Sequence, residues 1–472
     1  MDKSLITFSG YKNNSSALRN LPTVKIYVFS ALIAAFGSAL VIFLGIKSLF
    51  VTVSPIAFYC FLRYKNSLLY FFLAIMPIMI SISEGAIISI ISYGIALMIL
   101  ASWIFRKLIS SDKHIAISQK LTIFILVFMF FCLISVLQNG VNRAELYAIV
   151  RLLIFFGLVL ALYDMLQWKD TDKIFVAMSL PLIVASYYII SIYLNAGSVV
   201  AALSLFRYKA TGFIPNANSL GHLLILVVAY WIALSIWSEK RPIRIISWVL
   251  ALLFSTSLIL TNSRSAIFGF MIMVFLFSIW TKKIKQLIAV VFIIIAILVF
   301  NPAARNLIGI AFRVDRGSSS REIIWANTTD MIKKNFWLGV GIGNYGNEYD
   351  VYYATGWERG FFGRMSHAHN HILSKMAELG IAGLLLALAM YYMPIRSGLN
   401  VLKNLKSPKD KVVVYSIIAT IGALFARSIF EAGGILQEAR LHGDITFWIL
   451  FVLLLKSEAY LIKSSSGILA KS

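Results

Sequence analysis

Charge is scarce in this 472-residue sequence, and acidic charge scarcer still: 13% of residues are charged, with 20 acidic against 43 basic. A soluble domain is about one-quarter charged and about half apolar. Here 60% of residues are hydrophobic and the mean hydropathy is +0.85, which excludes an ordinary soluble globule. Cysteine is nearly missing as well. The two present, Cys60 and Cys132, fall inside apolar blocks and read as small core residues, so no disulfide framework is implied. No cleavable signal peptide is evident, because the first apolar block, 26–46, is too long for a signal core and lacks a small-residue cleavage site. It reads as a retained first helix. No internal repeat stands out, which counts against a transporter built from inverted repeats.

What the sequence does contain is long apolar blocks, such as 86–105 and 121–137. They match the roughly 20 residues that cross a hydrocarbon core about 30 Å thick. Backbone polar groups must be satisfied internally in lipid, so the blocks are expected to be helices. The expected fold is all-α: a polytopic integral membrane protein with about 12–14 transmembrane helices. The formal charge of +23 raises the question of nucleic acid. Its Lys and Arg residues, however, are spread through short loops between apolar blocks, the pattern of a membrane protein with a basic cytoplasmic side. With fourteen helices, Arg63 and Lys65, the 106–120 loop, Lys169 and Lys173, the 240–244 and 282–285 turns, the 396–411 loop and both termini all fall on that side.

The opposite, extracytoplasmic face then carries the 196–218 segment with Arg207, a tight turn at Asn262, Ser263 and Arg264, and a long loop at 302–370. A loop of roughly 70 residues far exceeds the usual connection and marks a functional substructure. Arg321, Trp325, Trp337, Tyr345, Tyr349, Tyr352, Tyr353 and Trp357 give it an aromatic, polar surface. Such a surface suits either stacking of sugar rings or an interfacial belt on lipid headgroups.

Three motifs lose force in context. Asp170-Thr171-Asp172 has the form of a nucleotide-sugar transferase motif, but its loop is too short for a nucleotide domain, and it reads as a solvated turn. Gly341-Ile342-Gly343-Asn344-Tyr345-Gly346 has dinucleotide spacing without a βαβ context, so a tight backbone turn is expected. His367, His369 and His371 alternate, and His367 and His371 share a face if the segment is helical. No neighbouring Cys or carboxylate completes a metal set, and Glu378 is two turns away, so no metal is expected. A histidine doing proton chemistry is the alternative. Arg151, inside a spanning block, is a weaker functional candidate, while Arg427 and Glu431 are explained as a helical ion pair.

From His369-Asn370 the sequence runs nine residues to Gly380-Ile381-Ala382-Gly383. This resembles the bacterial O-antigen ligase and polymerase superfamily, whose members carry that pattern at the end of a long periplasmic loop. Further segments resemble the family in order: Arg207 followed by Gly212-Phe213-Ile214-Pro215-Asn216-Ala217-Asn218, then Thr261-Asn262-Ser263-Arg264-Ser265, then Arg321-Glu322-Ile323-Ile324-Trp325, then Trp337 to Asn344. The resemblance covers about 207–390. Pro-Asn-Ala-Asn stands where Pro-Asn alone is expected, which leaves Asn216 and Asn218 as alternatives.

The resemblance implies a membrane-embedded glycosyltransferase of the bacterial inner membrane, with its active site on the periplasmic side. It implies transfer of a glycan from undecaprenyl diphosphate to an acceptor hydroxyl, with no cofactor. Polymerisation of surface-polysaccharide repeat units is the preferred reading. The alternatives are an O-antigen ligase that transfers the polymer to lipid A-core and a non-catalytic lipid or polysaccharide transporter. Arg207 and Arg264 are the candidate diphosphate ligands, since Arg grips two phosphate oxygens without risk of deprotonation. His369 is the candidate general base or acceptor-orienting group. Asn370, Asn218, Arg321 and Trp325 are candidates for positioning donor or acceptor. The expected organisation is N-terminal helices at 1–201, a catalytic region at 202–394 and C-terminal helices at 395–472. The expected partners are the lipid-linked donor, a glycan or lipid A-core acceptor, membrane lipids, and a flippase and chain-length regulator, with no nucleic acid.

Overall fold

The computed structural model describes residues 69–74, 86–109, 114–140, 142–196, 216–302, 309, 321–349, 367–436 and 441–465. The helices that matter here are α1 (Ala86–Ile109), α2 (Gln119–Asn139), α3 (Arg143–Met165), α4 (Thr171–Asn195), α5 (Ala217–Trp237), α6 (Arg241–Leu260), α7 (Arg264–Trp280) and α8 (Ile284–Phe300). They continue with α9 (Arg321–Lys334), α10 (Tyr345–Glu348), α11 (His371–Asn404), α12 (Pro408–Ser428) and α13 (Leu441–Ser465). No strand occurs among the described residues. Eight of these helices are long and apolar enough to span a bilayer, and α7 and the first part of α8 are shorter apolar helices. The chain is an all-α polytopic membrane protein. The first expected helix, 26–46, and both termini lie outside the described residues.

Capping is uniform in kind. Ser118, Asn142, Asn216, Ser263, Asn370 and Ser407 each accept a backbone N–H of the first turn of the helix they precede. A short polar side chain there satisfies a donor that the helix leaves orphaned, worth about 1 kcal/mol each. Helices α5 and α12, with residues 445–455 of α13, form the buried centre. Trp448 of α13 sits among Phe124, Phe155, Phe156, Phe447 and Phe451. Around that centre, α6 turns Trp248, Val249 and Leu252 outward, as a lipid-facing helix does.

The basic loops gather at one end. Lys120 pairs with Glu458 at 2.7 Å, Lys107 with Asp164 at 3.0 Å and Lys409 with Asp172 at 2.5 Å. Trp280 stacks on Tyr415 at that same end, with Trp237 tilted against Trp280. Asp170 and Asp172 prove more than a solvated turn. Asp170 is buried and accepts the N–H of Gln167, while Asp172 accepts the Tyr230 hydroxyl as well as Lys409.

Candidate functional site

At the opposite end, three helices begin close together. Asn216 caps α5 by accepting the N–H of Asn218 at 2.9 Å. The side chain of Asn218 then reaches across the chain. Its Oδ1 accepts the Ser263 hydroxyl at 2.7 Å, and its Nδ2 donates to Glu431 Oε2 at 3.0 Å. Ser263 caps α7, whose first residue is Arg264, and Asn262 ahead of it takes a left-handed φ of 54°. The alternative left open between the two asparagines thus divides by role: Asn216 is the cap, and Asn218 reaches the cluster.

The third start is that of α11. Asn370 caps it by accepting the N–H of Leu373 at 3.0 Å, so this candidate serves the helix end. His369 precedes the cap with φ of 51°, an uncommon region that His tolerates better than most side chains. Its turn is held on several sides. Trp325 Nε1 donates to the Ala368 carbonyl at 2.9 Å, and the Ala368 N–H donates to Ser374 Oγ at 3.0 Å. The His369 N–H donates to His367 Nδ1 at 3.1 Å. Trp325 therefore positions the histidine turn. Helix α11 starts only at His371, so His367 and His371 share no helical face, and His371 is buried against Tyr391.

Asn218 and His369 meet at Glu431, which the sequence reading assigned to a helical ion pair. That assignment is corrected, because α12 ends at Ser428 and Glu431 lies beyond it. Arg427 donates instead to the carbonyls of Gly433 and Asn218, at 2.7 and 3.3 Å. Glu431 Oε1 lies 3.4 Å from His369 Nδ1, and Oε2 lies 3.9 Å from Arg321 Nη2. Burial alone would raise the Glu431 carboxyl, but His369, Arg427 and His367 hold it far below its ordinary range. Burial lowers the Arg321 guanidinium; Glu431 opposes that shift and nearby Arg264 adds to it. The expectation that no carboxylate accompanies the histidines also fails, since His367, His369 and Glu431 offer ligand atoms within 4.8 Å of one another. Sequence spacing hid this carboxylate because an intervening pair of helices brings it back.

The glycine motifs explain how the long loop seats on this end. Gly380 takes φ of 63° and ψ of −148°, which breaks α11. The carbonyls of Ala377 and Glu378 are thereby free to accept the N–H groups of Val340 and Gly341, at 2.9 and 3.0 Å, and the Ile381 N–H donates to Phe336. A Cβ on Gly380 would lie 2.3 Å from the Trp337 carbonyl oxygen, and one on Gly339 would lie 2.3 Å from that of Glu378. Neither position admits a side chain. The Gly341–Asn344 stretch is the tight turn that its composition suggested. It is secured by Asn344 donating to buried Glu145 at 2.9 Å and by Gly343 donating to Glu378 at 3.2 Å. Glu378 in turn pairs with buried Lys375 at 2.7 Å. Arg151 faces the Tyr147 ring at 3.6 Å, an aromatic contact.

The result is a patch where three helix N-termini, each carrying partial positive charge, meet Arg264, Arg321 and Arg427. Among the described residues Glu431 compensates Arg321 and Arg427. Such a site suits an anionic group, and a histidine one-third exposed beside a buried carboxylate suits proton transfer. Arg207 lies outside the described residues.

Residues 248–388 match the family model described as O-antigen ligase. No curated protein matches the chain. The matched span runs from α6 into α11 and takes in Arg264, Arg321, Trp325, His369 and Asn370, whereas Asn218, Arg427 and Glu431 fall outside it. This region carries the similarity of the chain to the O-antigen ligase and polymerase superfamily.

Proposed function

We propose that the protein transfers a glycan from undecaprenyl diphosphate to an acceptor hydroxyl on the extracytoplasmic side of the inner membrane, and that it polymerises repeat units. The observation that carries this reading is the gathering of Arg321, Asn218 and His369 around Glu431, with Arg264 beside Arg321, at the end remote from the basic loops. With a proton on Nδ1 facing Glu431, His369 keeps its lone pair on Nε2. That nitrogen takes the acceptor hydroxyl proton as the oxygen attacks the anomeric carbon of the donor. The bond from that carbon to the diphosphate oxygen breaks, and undecaprenyl diphosphate leaves with both electrons. Arg264, with Arg207 as its expected partner, holds the diphosphate charge as it grows. Arg321 orients Glu431, and Trp325 fixes the histidine turn. The 302–370 loop and the turns at Asn218 and Asn262 form the extracytoplasmic face.

Both a polymerase and a ligase use this chemistry, and they differ in acceptor. A strain lacking the protein is expected to carry single repeat units on its surface anchor. Long chains still attached to the polyprenyl carrier, with a bare anchor, would assign the ligase reaction instead. Purified protein with a lipid-linked oligosaccharide should extend the chain and release undecaprenyl diphosphate. His369→Ala should slow that release by roughly 10²–10⁴-fold; unchanged release would remove His369 from the reaction.

A further inference from the structure

The histidine turn brings a second imidazole to the cluster that the transfer reaction does not use. Rings of His367 and His369 lie 4.5 Å apart, and their nitrogens and a Glu431 oxygen are within 4.8 Å of one another. Zinc ligands at about 2.0–2.1 Å on a tetrahedron sit about 3.3 Å apart. His369 Nδ1 and Glu431 Oε1 are already at 3.4 Å, so closure asks mainly for a rotation of His367. We propose that His367, His369 and Glu431 form a binding site for a zinc-class divalent ion, and that its occupancy shuts off glycosyl transfer. The inhibitory half of this proposal rests on the reading of His369 as general base.

The ligand chemistry selects the ion. Two imidazoles and a carboxylate suit zinc, copper or nickel, whereas magnesium and calcium take all-oxygen sets. Glu431 divides its work between two oxygens: Oε2 takes Asn218 and Arg321, and Oε1 faces the histidines. A metal on Oε1 therefore leaves the outer partners of the carboxylate in place, and such partners orient a ligand. The turn is also preorganised by Trp325, Ser374 and the Asn370 cap. Two features work against the ion. It must replace the bond from the His369 N–H to His367 Nδ1 or accept a rotated ring, and it enters beside Arg321 and Arg427. Binding is accordingly weaker than at a structural zinc site, which suits reversible inhibition and not a resident cofactor.

Inhibition follows from the imidazole itself. A metal on His369 Nε2 occupies the lone pair that accepts the acceptor's proton. A metal on Nδ1 forces the one remaining proton of the neutral ring onto Nε2. In either case no basic nitrogen is left.

The test uses the full-length protein in nanodiscs, with any affinity tag removed. Zinc binding is followed by calorimetry, and turnover is followed with and without zinc. One zinc per chain is expected, with turnover lost on saturation and restored by EDTA, while magnesium does neither. His367→Gln is expected to weaken zinc binding by at least ~10-fold, the minimum seen for loss even of an outer-shell partner. It should raise the inhibitory zinc concentration in step, each measured against the variant's own zinc-free rate. Glu431→Gln should weaken binding likewise. Absence of saturable binding overturns the site, as does binding or inhibition indifferent to His367→Gln. Those failures leave the base role of His369 standing, because that role is read from the zinc-free rate of His369→Ala.

Discussion

Replacing Glu431 by Gln removes one negative charge while keeping the shape of the side chain and an oxygen able to accept from Asn218. What it takes away is the compensation of Arg321 and Arg427. At the observed 3.9 Å the attraction between Glu431 and Arg321 is about 4 kcal/mol in surroundings of effective dielectric about 20. Breaking a buried pair from one side costs roughly 3–5 kcal/mol. Because the Arg321 side chain keeps 18% of its exposure, the lower end, about 3 kcal/mol, is expected. Thermal unfolding in detergent should show the loss. Adding Arg321→Gln should recover part of it, with a coupling of roughly 0.5–3 kcal/mol in the double-mutant cycle. Turnover should fall by about 10²–10⁴-fold, since His369 loses the acceptor that fixes its tautomer. The pH dependence follows from the depressed carboxyl. Its stabilising charge is complete above the ordinary value of 4.5 and is lost only as pH falls through a folded value far below that. Glu431 itself should therefore stay charged at every pH from about 5 to 9, so that its attraction for Arg321 and Arg427 does not vary across that range. Strictly additive effects of the two substitutions, or turnover near that of the unaltered protein, would refute the central role given to this carboxylate.

Arg264→Lys should express normally and lose most turnover, because an ammonium cannot grip two phosphate oxygens as a planar fork does; near-normal turnover would reduce Arg264 to a membrane anchor. Gly380→Ala should lower both thermal stability and turnover, since its Cβ would lie 2.3 Å from the Trp337 carbonyl oxygen at a φ of 63°. Unaltered melting would show that the loop and α11 do not interlock there. In a cysteine-free background, a cysteine at exposed Asn347 should react with an impermeant thiol reagent added to whole cells with a permeabilised outer membrane, and one at Lys409 should not. The reverse labelling would place the site on the cytoplasmic side.

The membrane class was legible because apolar blocks of spanning length are a local property of the sequence. Ser263, Asn216 and Asn370 also carry the local signal of helix caps, since a cap acts within three residues of itself, although Asn370 was read as a substrate-positioning group. The glycines at 380 and 383 were legible as a pattern but not as a mechanism. A helix break that exists to receive N–H groups from residues 340 and 341 can be seen only when both segments are in place. Glu431 was the largest omission. Four residues after Arg427, it has the spacing of an ordinary helical ion pair, and nothing in that spacing says that α12 stops at Ser428. A carboxylate just beyond the end of a buried helix, followed by Gly433 and Gly434, was the available signal. Assigning it to His369 required knowing which helix ends are neighbours, which is a property of the bundle and not of any segment.

The interlock at Gly380 also defines what can be exchanged between related chains. Residues 336–341 complete the hydrogen bonding of α11, and α11 carries the cap that sets the histidine turn. A hybrid that borrows the 302–370 loop alone would bring foreign backbone to carbonyls shaped for the native one. The segment to exchange is therefore 302–383, loop and broken helix together, and a hybrid designed on that boundary keeps His369 in register with its own cap.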